Sequence, residues 1–210
     1  MSIDEAVTDR VSVLCRVAGI VRHDMGNFLY PSASAGREAQ EGGVSDRFRR
    51  YARDCQLLVD TVDEMREALR CFRLEPSPGE AKTIELREWW PRFNRLGNTL
   101  LDRERRCSLD AESPDVEIGV PASVVSVIVA AVFAAIELRA EERAVGSVGL
   151  SASPVDGRLT LRVLATEEGG DGPMPVPSLA SRIAASHGGS VSSRLGGKGT
   201  LFEVSLPRPD

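Results

Sequence analysis

The sequence predicts an α+β chain: an N-terminal antiparallel helical hairpin, followed by helices layered on a mixed β-sheet. Three observations point there. Apolar residues in the first third recur in alternating steps of four and three, the seam of long helices lying side by side. Pro121 opens an apolar run from Val124 to Ile136 that reads as one helix. Beyond it, Ser147 to Ser153 and Arg158 to Leu164 alternate like paired strands, with Asp156-Gly157 at the turn.

The first helix runs from Asp4 to about Gln40, with Val7, Val11, Leu14, Ala18, Val21, Met25 and Phe28 on its seam. The second keeps the alternation from Phe48 through Tyr51, Cys55, Leu58, Val62, Met65 and Leu69 to Phe72. Between them, Glu41-Gly42-Gly43-Val44-Ser45 supplies a stop, a turn and an N-cap, and Pro76 and Pro78 end the second helix. Val13, Val17, Ile20 and Leu29 leave a further apolar stripe uncovered. Two helices cannot enclose that much apolar surface. Two chains are therefore expected to pair their hairpins into a twofold four-helix bundle, a homodimer, with an intramolecular dock against the C-terminal half as the alternative.

The remaining elements are a strand at Thr83–Leu86, a helix from Glu88 to Arg106 with Pro91 in its first turn, and short strands at 107–111 and 115–119. The Pro121 helix continues to about Arg143; after the two alternating strands come a helix at 179–186 and two closing strands. The division expected is 1–76 for the hairpin and 80–210 for the α/β unit.

Composition narrows the function. The formal net charge is -5, and the basic residues are arginines apart from Lys82 and Lys198, so no concentrated basic surplus marks a nucleic-acid binder. Cys15, Cys55, Cys71 and Cys107 lie far apart without a zinc spacing, a usage that suits a reducing compartment. The start has no basic and apolar leader pattern, and the Val124–Ile136 run is shorter than a membrane span. A cytoplasmic protein without membrane or nucleic-acid partners is expected.

One segment carries chemistry: Arg22-His23-Asp24-Met25-Gly26-Asn27-Phe28-Leu29-Tyr30-Pro31. A neutral imidazole offers a nitrogen lone pair to a phosphoryl group near neutral pH. His23 lies off the seam. Asp24 can orient the ring or exchange its proton, and Asn27, at i+4, shares the helix face. Gly26 costs about 1 kcal/mol against Ala inside a helix, which leaves room for a partner's backbone or a phosphoryl group.

This segment resembles the H-box of the sensor histidine kinases, in which a phosphorylatable histidine precedes an acid, an Asn or Thr, and a helix-bending Pro. The hairpin is similar to their dimerisation and phosphotransfer domain. Ile183-Ala184-Ala185-Ser186-His187-Gly188-Gly189-Ser190-Val191, followed by Gly196-Gly197-Lys198-Gly199-Thr200-Leu201-Phe202-Glu203-Val204, resembles the end of their ATP-binding domain. In that family the helix matching Val124 to Glu137 carries an asparagine that holds the magnesium of MgATP. Here the corresponding positions are Ala130 and Ala134, whose methyl groups offer a hard cation no oxygen. The family's adenine-recognising Asp-x-Gly-x-Gly is also missing after Leu164, and the nucleotide lid has shrunk to Pro173-Met174-Pro175-Val176-Pro177.

Taken together, these features resemble the dimeric histidine phosphotransferases of the ChpT type, derived from histidine kinases with a degenerate ATPase-like unit. The resemblance implies a phosphorelay. His23 takes a phosphoryl group from a response-regulator receiver's aspartate and passes it to another, with no bound cofactor and with Mg2+ supplied by the receiver. Asp24 sets the tautomer and accepts a proton; Arg22 steadies phosphoryl oxygens or pairs with an acidic receiver. Asp24-Met25-Gly26-Asn27 also fits the pattern that places a water for dephosphorylation, so a response-regulator phosphatase is an alternative; a non-catalytic receiver-binding scaffold is another. His187, before two glycines, reads as a helix cap, and Trp89-Trp90 as an apolar cover between the halves.

Overall fold

The computed structural model describes residues 2–41, 84–111, 113, 115–140, 144–167 and 172–208, with scattered positions between 53 and 80; the side chains of Ile20, His23, Asp24, residues 26–41 and Arg103 lie outside that description. Helix α1 (Ile3–Glu41) opens with a reciprocal cap: the Glu5 N–H donates to Ser2 Oγ at 3.2 Å and the Ser2 N–H to Glu5 Oε2 at 2.7 Å. It runs as one helix through Gly26 and Pro31. The described positions from Arg53 to Arg70 are helical, whereas the expected turn at 42–45, seam residues Phe48, Tyr51, Cys55 and Leu58, and Pro76 and Pro78 lie outside the described residues.

The α/β part follows the expected order. Strand β1 (Ile84–Glu85) leads into α2 (Leu86–Gly97), then β2 (Ser108–Leu109), β3 (Glu117–Ile118), α3 (Ala122–Ala140), β4 (Val145–Val155), β5 (Arg158–Glu167), α4 (Ser178–Ser186), β6 (Ser190–Gly196) and β7 (Gly199–Pro207). The five-stranded sheet runs β2-β4-β5-β7-β6; β2 is parallel to β4 and the other neighbours are antiparallel. β1 and β3 pair apart from it, antiparallel. Asp156 and Gly157 turn the β4–β5 hairpin with φ of 48° and 73°, the left-handed pair such a turn demands. Gly199 (φ 141°) brings β7 so close to β5 that a Cβ there would stand 2.2 Å from the Ala165 carbonyl oxygen.

Two expectations need correction. The helix expected to reach Arg106 stops at Gly97 and gives way to 3-10 turns at Asn98–Leu100 and Arg103–Arg105. The cause is tertiary: Asn98 Oδ1 accepts from the Cys107 N–H at 2.9 Å and its Nδ2 donates to the Cys107 carbonyl at 3.0 Å, pulling the chain back toward β2. Because α2 starts at Leu86 and not at Glu88, Pro91 sits inside it and not in its first turn. The short strands 84–85, 108–109 and 117–118 are likewise two residues each, shorter than the expected runs.

Helices α3 and α4 lie on the sheet face that buries Leu159, Leu161, Val163, Phe202, Val204 and Leu206. The opposite face is polar, with Glu203 accepting from Arg162 and Arg194 at 3.1 Å each. The α1 seam does more than face its hairpin partner. Val7, Val11, Cys15 and Ala18 are buried in one core with the sheet and α3, and α1 packs on both α3 and α4. The Asp4 carboxylate accepts from the Ser178 N–H at 3.0 Å, fastening the start of α1 to the first turn of α4. Just past the second helical stretch, Phe72 joins the core, stacked on Phe93 at 5.5 Å, which in turn meets Trp89 at 4.8 Å and Phe133 at 5.6 Å. Trp89 is buried, donating from Nε1 to Ser126 Oγ at 2.8 Å, so it serves as the expected apolar cover. The intramolecular dock therefore exists.

That dock explains α3. Every residue from Ser123 to Ile136 is buried, because the sheet covers one side and α1, α2 and α4 the others. By length and composition α3 could cross a membrane, yet here it is the core helix of the molecule.

Candidate functional site

α1 carries Arg22, His23, Asp24 and Asn27 within two turns, alongside the docking residues Val21 and Met25. Ala18 is buried, and Val21 and Met25 continue its stripe half-buried against the core. Helical geometry sets position 23 about 200° around the axis from position 21, and position 27 one turn above position 23. The side chains of His23, Asp24 and Asn27 lie outside the described residues; that of Arg22 is half-buried.

Arg22 has neighbours that its own helix did not announce. Its pKa is lowered first by burial, then by the positive charges of Arg73, Arg70 and Arg66, on and just past the second helical stretch. Arg66 and Arg70, at i and i+4, share a helix face, and Arg73 follows just past the helix end. Arg66 Nη1 lies 3.6 Å from Asp63 Oδ1, while the Nε atoms of Arg66 and Arg73 are buried without a hydrogen-bond partner. Sequence reading missed this group. Its spacing was visible, but its meeting with Arg22 depends on the antiparallel return of the chain.

In the α/β part, Ala130 and Ala134 are each 0% exposed. One turn beyond, Glu137 is held by Arg105, whose Nε and Nη2 donate at 3.0 and 2.6 Å, and by the Asp102 N–H at 3.1 Å. The hydrogen bonds from Arg105 hold the Glu137 carboxyl below the usual glutamate range, against the opposing effect of burial. The shortened Pro173–Pro177 segment is pinned inward: Met174 is buried, and its N–H donates at 3.0 Å to Thr200 Oγ1, itself bonded to Glu167. The neighbouring Glu168–Asp171 lies outside the described residues. His187 is the C-cap of α4, its N–H donating to the Ala184 carbonyl at 3.0 Å, as expected of it. Among the described residues no cluster of three or more His, Cys, Asp and Glu is placed to hold a metal.

No protein-family model and no curated protein matches the chain. Solved structures similar to it include the ATP-binding domain of PrrB from Mycobacterium tuberculosis, 18% identical over 61% of this chain and 97% of that one, with a TM-score of 0.49. The histidine kinase domain of the blue-light-activated kinase of Erythrobacter litoralis EL346 is 18% identical over 95% of this chain and 94% of its own, with a TM-score of 0.44. The histidine kinase AdeS of Acinetobacter baumannii is 11% identical over 89% and 96%, with a TM-score of 0.46.

Proposed function

We propose that the chain is a histidine phosphotransferase of two-component signalling, a carrier charged by a phosphorylated receiver domain and not by ATP. The observation that carries this reading is the complete burial of Ala130 and Ala134. The residues present do not fit MgATP: those two positions supply no oxygen and no accessible surface, and Asp4 sets a carboxylate against the α4 N-terminus, where an incoming phosphate would meet like charge. The H-box sequence, in contrast, keeps its nucleophile on the long helix α1.

In the relay, a ring nitrogen of His23 attacks the phosphorus of the receiver's aspartyl phosphate. The bond to the aspartyl oxygen breaks, the carboxylate leaves, and Asp24 takes the proton released from the phosphorylated ring. Attack by a second receiver's aspartate reverses these steps and frees the imidazole. The receiver brings its own Mg2+, and this chain contributes the nucleophile and its positioning. The 1–76 hairpin acts as the transfer unit and 80–210 as the degenerate ATPase-like unit.

A homodimer completes the hairpin. Val13 and Val17 are 58% and 50% exposed on α1, and Leu57 and Met65 are 67% and 47% exposed on the second stretch, an apolar surface that a second copy would cover. Buried free thiols at Cys15, Cys71 and Cys107 suit a reducing cytoplasm. The test is a relay assay from one phosphorylated receiver to a second. His23→Ala should abolish it; relay at the wild-type rate in that variant would refute the proposal, and His23-independent phosphate release that needs Asn27 would move the assignment to a phosphatase.

A further inference from the structure

We propose that β6 is an interface between copies of this chain, two β6 strands pairing antiparallel about a twofold axis at Ser193 and joining their sheets into one. The sheet treats its two edges differently. On the β2 side the edge is bonded: the Asp110 N–H donates to the Leu150 carbonyl, and Ser113 Oγ accepts from the Ala152 N–H. β4 is also bulged there, between Val145 and Val148. At the other edge, β6 keeps unbroken register with β7 over seven residues, without a bulge or a proline. Apart from Arg194, it lacks the features that keep an edge strand from pairing.

Hydrogen-bond alternation fixes which groups are left over. The Glu167 N–H donates to the Lys198 carbonyl, so the even-numbered residues of β7 bond to β5 and the odd-numbered ones to β6. Through the β6–β7 register, Ser190, Ser192, Arg194 and Gly196 bond to β7, while Val191, Ser193 and Leu195 turn their N–H and C=O groups outward. Among the described residues no backbone hydrogen bond reaches those three. An axis at Ser193 sets it opposite its own copy and Val191 opposite Leu195, which pairs every outward group. It also lays an apolar side chain beside Leu195, which is 50% exposed in the single chain. Arg194 then faces a serine, Ser192 of the second copy. An axis at Arg194 would oppose two arginines, and one at Ser192 would set Leu195 against Gly189, outside the strand.

This contact is separate from the α1 face of Val13 and Val17. Sedimentation equilibrium is therefore run on the full chain carrying Val13→Lys and Val17→Lys, with and without Ser193→Pro. Proline at that position removes an outward N–H and no bond to β7. The double-Lys protein should sediment as a dimer, and Ser193→Pro should weaken its association by roughly tenfold or more. Unfolding curves check that Ser193→Pro retains the fold. In parallel, a short bismaleimide should link two copies of the Ser193→Cys protein, whose paired Cα atoms would lie about 5.5 Å apart. The Ser151→Cys protein, altered on β4 across the sheet, should not be linked. A monomeric double-Lys protein, unchanged association in a folded Ser193→Pro protein, or no link in the Ser193→Cys protein would overturn the inference and leave the edge to an extended segment of another protein. Failure of the α1 contact reads separately, as a sedimenting mass that the Val13 and Val17 changes do not alter.

Discussion

Ala130 shows how one side chain bears on function through its surroundings. Its methyl group is chemically silent and completely buried, the observation on which the proposed ATP-free carrier rests. Ala130→Asn should therefore cost about 2–4 kcal/mol of stability in denaturant unfolding, by overpacking and by burying an unpaired amide. It should leave thermal shifts with MgATP unchanged; a nucleotide-dependent rise in Tm would show that the cleft opens. Glu137 permits a test by pH. Because Arg105 depresses its folded pKa, the stabilisation from this pair is present above the unfolded glutamate value and is lost as pH falls through the folded one. Arg105→Gln should cost about 1–3 kcal/mol at neutral pH, a difference that shrinks on acidification. A cost independent of pH would mean that Arg105 acts by packing alone.

Individual helices and strands were readable wherever one local pattern determined them. The alternation of β4 and β5 and the Asp156-Gly157 turn predicted a hairpin because strand period and turn backbone are local properties. The early end of α2 was not readable, because the Asn98 amide bonds to Cys107, nine residues away, and nothing in the intervening sequence announces that pairing. The α1 seam was readable as a stripe but not as a destination. Heptad spacing states that Val7, Val11 and Ala18 need cover, not that α3 and α4 provide it alongside the hairpin. Val11→Asp places a carboxylate at a position with 0% exposure and should cost at least about 3 kcal/mol in urea unfolding. A loss well below that would mean that α1 separates from the α/β part without penalty.

At the scale of the assembly, the two faces of α1 divide their work. One is buried against the sheet-bearing part, while Val13 and Val17 project elsewhere, exposed in the single chain. If the proposed homodimer forms, Val13→Lys with Val17→Lys should dissociate it in sedimentation equilibrium while leaving the monomer's helical content unchanged, since neither side chain belongs to the core. An unaltered sedimenting mass would place any dimer contact on another surface. The H-box pattern, read from residues 23–31, predicted where to look for chemistry; the sealing of α3 by α1 emerged only in three dimensions, because it joins residues more than a hundred positions apart.

The most direct measurement is a paired labelling experiment on the purified chain, with γ-labelled ATP and Mg2+ in one arm and a labelled phosphorylated receiver in the other. The account predicts an acid-labile, base-stable phosphoryl adduct on His23 in the receiver arm and none in the ATP arm. Label entering His23 from ATP would contradict it.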